Sequence, residues 1–155
     1  QRQRVLQRGD RSSEVSGCPL AGRSELESRR VAQAIVSLIR DGQGAVDRVK
    51  ALMENPLFKR TNPNRMRSLV GTFAFGNPTG FGRADGEGYR FLASQILDID
   101  QRNPQLAARL LTSMRSWRSL ESIRADHARS ALLEIEGAAN LSTDVRDIVE
   151  RTLKG

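Results

Sequence analysis

The chain is poor in the residues that most often carry chemistry. It has one cysteine, Cys18, and one histidine, His127, in 155 residues. A lone thiol excludes an internal disulfide and suits a reducing compartment, so a cytoplasmic location is expected. Cys18 would serve as a nucleophile only beside a base, and its segment reads as unstructured. Lysine occurs only at Lys50, Lys59 and Lys154, and aromatic residues make up 5% of the chain. So few aromatics, at the spacing of core positions, argue against a surface that stacks nucleic-acid bases. No apolar run approaches the length needed to span a bilayer, and no charged start precedes an apolar core as in a signal peptide. No segment alternates apolar and polar residues long enough for a strand. No methionine opens the chain, which reads as a fragment of something longer.

What is present is arginine and helical periodicity. The formal net charge is +7 and hydrophobic residues are 38% of the total, lean but adequate for one helical domain. The positive charge is spread over every segment and interrupted by acids, which describes a solvated surface. A basic nucleic-acid binder is the other reading of that charge.

Residues 1–23 are polar without sustained period and read as a linker or disordered arm. A helical domain is expected over 24–154. Ser24 caps a helix with Val31, Ala34, Ile35, Leu38 and Ile39 on one face, ended by Asp41-Gly42. A shorter helix runs from about Ala45 to Glu54, with Val46, Val49, Leu52 and Met53 inward, and Asn55-Pro56 closes it. Asn62-Pro63 starts another through an Asn cap and a first-turn proline, with Met66, Leu69, Val70 and Phe73 buried. A loop dense with breakers follows: Gly76, Asn77-Pro78, Gly80, Gly82, Asp85-Gly86 and Gly88. So many glycines and prolines between apolar helices imply a loop of fixed shape.

A helix beginning near Gly88 carries Tyr89, Leu92, Ile96 and Ile99 inward. Asn103-Pro104 repeats the Asn-Pro start, with Leu106, Leu110, Met114 and Trp117 on one side. A further helix is expected from about Ser119 to Glu136, using Leu120, Ile123, Ala131, Leu132 and Ile135, and Gly137 stops it. Ser142 caps the last, whose stripe is Val145, Ile148, Val149 and Leu153. The fold class is all-α: an array of about seven short antiparallel helices. The recurrent Asn-Pro starts hint at stacked helix pairs in a solenoid-like superhelix, without a clean repeat period.

The string from Asn62 to Phe81, N-P-N-x-x-x-S-L-x-G-x-F-x-x-G-N-P-x-x-F, and then A-D-G-x-G-Y-x-F-L from Ala84, also carry a resemblance. They resemble the C-terminal region of bacterial aminopeptidase N, the alanyl aminopeptidase among the zinc metallopeptidases. The similarity continues through Arg102-Asn103-Pro104-Gln105 and Ala107-Ala108-Arg109 to Asn140-Leu141-Ser142, covering about residues 47–154. It implies a helical superhelix that closes over a catalytic domain. The family usually has His where this chain has Gly82.

The family's H-E-x-x-H zinc motif needs two His one turn apart with a Glu between them. His127 is followed by Ala128, so that motif is absent, as is the family's G-A-M-E-N. The resemblance therefore implies a noncatalytic domain, with no cofactor in this chain and zinc elsewhere in the parent enzyme. Its partners would be the catalytic and N-terminal domains of that enzyme and a peptide substrate at the chamber wall, with no membrane and no nucleic acid. The domain would wall the active-site chamber and limit access to it. A free-standing basic helical module, an adaptor or nucleic-acid binder, is the alternative function.

Candidate site residues are few. Gln105 and Arg109 lie four apart and face the same way on one helix. The resemblance places that helix beside the chamber above the zinc, where the pair would meet substrate past the scissile bond. Leu106 and Leu110 would anchor the helix from behind. Asn77, Pro78, Phe81, Asp85, Gly86, Gly88 and Tyr89 are expected to build the structural loop, with Asp85 as a turn or capping carboxylate. Its glycines precede a helix, as in a phosphate cradle, but no strand comes before them and no Lys-Ser/Thr pair follows. His127 is expected at a partly exposed position on a helix rich in Arg and Asp. Phe73, Phe75, Phe81, Phe91 and Trp117 are expected in the core or at domain contacts.

Overall fold

The computed structural model describes residues 44–56 and 58–155. They form seven α-helices: α1 (Ala45–Glu54), α2 (Pro63–Gly76), α3 (Pro78–Phe81), α4 (Glu87–Asp100), α5 (Pro104–Leu111), α6 (Ser122–Glu136) and α7 (Thr143–Lys154). Two 3₁₀ turns, Thr112–Met114 and Trp117–Ser119, join α5 to α6. No strand occurs among the described residues. The polar arm over 1–23, the helix after Ser24 and the expected domain start at residue 24 lie outside them. Seven helices were expected, but the membership differs. The first of them is not described, and the breaker-dense loop holds a one-turn helix, α3, in its place.

The Asn-Pro device works at each helix start where it occurs. Proline at the first helical position gives up an N–H that has no partner there, and the Asn side chain satisfies the next free donors. Asn62 Oδ1 accepts from the Asn64 and Arg65 amides at 3.0 and 3.3 Å. Asn77 Oδ1 accepts from Gly80 N at 2.8 Å, and Asn103 Oδ1 from Leu106 N at 3.0 Å. Ser142 does the same for α7, its Oγ accepting from Val145 N at 3.3 Å.

Helix α4 is the hub, packing against α1, α2, α3, α5 and α6, while α7 packs on α5 and α6. Its Leu92, Ala93 and Ile96 are fully buried. Burying a side chain of Leu or Ile size contributes about 1.5–3 kcal/mol. Phe73, Phe81, Phe91 and Tyr89 form an edge-to-face aromatic cluster, with Phe73 between Phe81 and Phe91 at 5.8 and 5.6 Å.

Three expectations need correction. Helix α5 stops at Leu111, and the chain tightens into 3₁₀ turns before Trp117. Met114 and Trp117 are nonetheless buried, because a three-residue spacing suits the three-residue period of those turns. Helix α6 begins at Ser122 instead of Ser119, since Leu120 and Glu121 take extended backbone angles (ψ 161° and 159°). With the helix set by Ala128, Ala131, Leu132 and Ile135, Ile123 falls off the buried face and is 57% exposed. Phe75, expected in the core or at a domain contact, is 55% exposed and so lies outside the core of the described residues. It sits two residues past Phe73, and that step turns a side chain to the far side of a helix.

Candidate functional site

Helices α2 and α5 border a cleft of about 680 Å³. From α2 it is lined by Arg67, Ser68, Thr72 and Phe75, and from α5 by Leu106, Arg109 and Leu110. Small residues keep it open. A Cβ at Gly71 would have only Leu110 Cδ2 nearby, at 3.8 Å. Leu106 and Leu110 are buried beneath the helix, which leaves Arg109 exposed on its last turn. The lining contains no acid, and the Arg109 guanidinium forms no ion pair with a described residue. Gln105 is exposed one turn earlier and does not line this cleft. Phe75 and Arg67 had no place in the sequence-based site. Yet Phe75 lies off the Met66, Leu69, Val70 and Phe73 stripe, and that pattern alone marks it as outward-facing.

The structural loop closes through named contacts. Asn77 is 1% exposed and caps α3, whose first residue is Pro78. Phe81 stacks edge-on against Tyr89 with centroids 4.9 Å apart. Gly86 has a left-handed backbone (φ 72°), and a Cβ there would strike the His127 ring at 2.4 Å. His127 therefore buttresses the loop from α6. At Gly88 a Cβ would lie 2.1 Å from the Phe81 carbonyl oxygen, so only glycine lets α4 approach α3 this closely.

Asp85 Oδ1 accepts from Glu87 N at 3.0 Å, and its other oxygen pairs with Arg83. The backbone hydrogen bond from Glu87 holds its carboxyl below the usual range, against desolvation in the other direction, with Arg83 and Arg90 adding to the lowering. Burial pushes the Tyr89 hydroxyl up. Lys50 ties α1 to this region through Glu87 at 3.1 Å.

A second set of polar contacts secures the other end of α4. Asp100 is 3% exposed and accepts from Ser142 N at 2.8 Å and from the Ser142 hydroxyl. Trp117 Nε1 donates to the Thr152 carbonyl at 3.0 Å, and Arg118 reaches the Thr152 and Leu153 carbonyls. The end of α7 is thus satisfied by side chains some 35 residues earlier. Among the described residues, no three His, Cys, Asp or Glu side chains converge as a metal site would require. The described residues do not fit a zinc centre. No described helix is long and apolar enough to cross a membrane.

Among the described residues, seven helices packed on one another, with an open cleft between α2 and α5, form an all-α array. Residues 34–154 match the family described as a domain of unknown function, DUF3458_C, with ARM repeats, and the chain belongs to that family. It is 43% identical to aminopeptidase N of Caulobacter vibrioides over 109 residues, which is 70% of this chain and 13% of that protein. With aminopeptidase N of Escherichia coli the identity is 37% over 108 residues, 70% of this chain and 12% of that one. Among solved structures it is similar to Legionella pneumophila aminopeptidase A in complex with aspartic acid. There the TM-score is 0.66 at 37% identity, over 72% of this chain and 13% of that one. The chain thus spans about an eighth of the length of the relatives it matches.

Proposed function

We propose that this chain is a noncatalytic helical domain of a zinc-dependent aminopeptidase that removes N-terminal residues from peptides. Its role is to wall the active-site chamber and to limit which peptides enter. The observation that carries this reading is Arg109: an exposed guanidinium, free of acids, in a cleft between α2 and α5. Similarity to aminopeptidase N through the same helix supports it. A guanidinium presents a rigid fork of donors matched to a carboxylate, so Arg109 holds the far end of a short peptide while the reacting groups lie outside this chain. Gln105, one turn away, adds an amide that both donates and accepts. The catalytic and N-terminal domains of the same enzyme are the natural partners, and its compartment is the cytoplasm.

The alternative of a basic nucleic-acid module has less support. Arg83, Arg102, Arg124, Arg151 and Lys154 pair with nearby acids, which leaves no continuous cationic stripe among them.

The test is Arg109→Ala in the assembled enzyme. A lost charge-assisted contact costs roughly 1.5–3 kcal/mol, so kcat/KM for short peptides with a free C-terminus should fall about tenfold to hundredfold. An aminoacyl anilide has no carboxylate past the bond and should lose less. Equal losses on both substrates, or a lowered melting temperature, would make Arg109 structural.

A further inference from the structure

On α2, the residues three, four and seven positions before Phe75 share its face, and all are small: Thr72, Gly71 and Ser68. With Phe75 they form the α2 wall of the cleft beside Arg109. A Cβ placed at Gly71 would meet Leu110 Cδ2 at 3.8 Å and no atom of Phe75 within 4 Å. The Phe75 ring therefore leaves the glycine uncovered, and a gap floored by Gly71 and Leu110 stays open beside it. Leu106 and Leu110 are 8% and 1% exposed, so the core takes up their apolar surface. Phe75, at 55%, presents the large apolar surface that a ligand can reach. At about 680 Å³ the hollow has the size of a small-ligand site, unlike a flat contact between domains.

We propose that Phe75 selects the last residue of the peptide whose carboxylate Arg109 holds, an assignment that rests on the role given to Arg109 above. An aromatic or branched apolar side chain lies against the Phe75 ring over Gly71, and a terminal glycine leaves that surface wet. Aromatic pairs add specific edge and face contacts to the area they bury, so phenylalanine is favoured at this place. A basic last side chain finds no counter-charge, because Arg67 and Arg109 are the charged groups among the described lining residues. Phe75 is thus a specificity residue: it discriminates between peptides that Arg109 holds alike.

The experiment compares the tripeptides Ala-Ala-Phe and Ala-Ala-Gly on the assembled enzyme, with an aminoacyl anilide as the substrate that lacks a last residue. Phe75→Ala should lower kcat/KM for Ala-Ala-Phe about threefold to tenfold and for Ala-Ala-Gly by less than about twofold. The anilide should be unaffected, and Phe75→Leu should keep most of the preference. Phe75 lies outside the core, so its replacement should leave the fold and the melting temperature in place. An equal loss on both tripeptides, or no loss on either, would overturn the proposal. So would a loss shared by the anilide together with a lowered melting temperature, which would make Phe75 a contact with a neighbouring domain. Arg109→Ala separates the two readings. If it spares the anilide while Phe75→Ala treats both tripeptides alike, the assignment of Phe75 alone fails. If it lowers the anilide and the peptides equally, the role of Arg109 fails as well.

Discussion

Single atoms decide the loop. Gly88 and Gly71 are both helical glycines, yet the same substitution should act on them with opposite sign. Gly88→Ala drives a Cβ to 2.1 Å from the Phe81 carbonyl, and neither backbone yields cheaply. It should cost about 1–3 kcal/mol or more in urea unfolding. Gly71→Ala meets only Leu110 Cδ2 at an ordinary 3.8 Å and removes backbone freedom from the unfolded chain. It should stabilise by about 0.5–1 kcal/mol. A common sign for the two would show that space around the glycine is not what matters. Asp85 gives a pH signature. Its carboxyl titrates lower in the fold than in the unfolded chain, so its contribution is complete above the ordinary carboxylate range and fades as pH falls through the lowered value. The stability gap between the native chain and Asp85→Ala should therefore be under about 1 kcal/mol at neutral pH, because the group is exposed, and should vanish in strong acid. A gap that widens on acidification would reverse the sign.

At the scale of elements, the Asn-Pro starts rank themselves by burial. Asn77 is 1% exposed, whereas Asn62 is exposed. Asn77→Ala should cost about 1–3 kcal/mol through an unsatisfied buried amide, and Asn62→Ala about 0.5–1 kcal/mol, both read from thermal unfolding. These caps explain why so many helix starts were legible in sequence. Asn62-Pro63, Asn103-Pro104 and Ser142 carry local signals whose physics lies within three residues. Helix α1 was equally plain from its apolar spacing and from Asn55-Pro56 after it. What escaped was set at a distance. The start of α6 follows extended backbone at Leu120 and Glu121, next to a Trp117 whose Nε1 is held by the Thr152 carbonyl 35 positions away. Nothing local in the sequence marks Asp100, because its partner Ser142 lies 42 positions away. Arg109 was singled out through the resemblance, with Gln105 four residues before it on the same side of the helix, whereas the facing wall of the cleft, from α2, exists only in the packed fold.

The described residues pack around one hydrophobic cluster, reaching from Ala45 in α1 to Val149 in α7. Chemical unfolding followed by Trp117 emission and by far-ultraviolet dichroism should therefore give coincident transitions. Two separated midpoints would show that the ends of the stack unfold independently. The Asp100–Ser142 contact gives that stack an order of assembly. Asp100 leaves the ribosome before Ser142, which supplies both of its donors among the described residues. Until then the carboxylate resists burial, since an ionised group enters a core cheaply only with its hydrogen bonds made. The far end of α4 is held open to water, and α5 and α6 meet a hub that is not yet sealed. A ribosome stalled before Ser142 thus displays an unlatched chain with exposed apolar faces, an easy target for quality-control proteases, whereas a few residues more complete the lock.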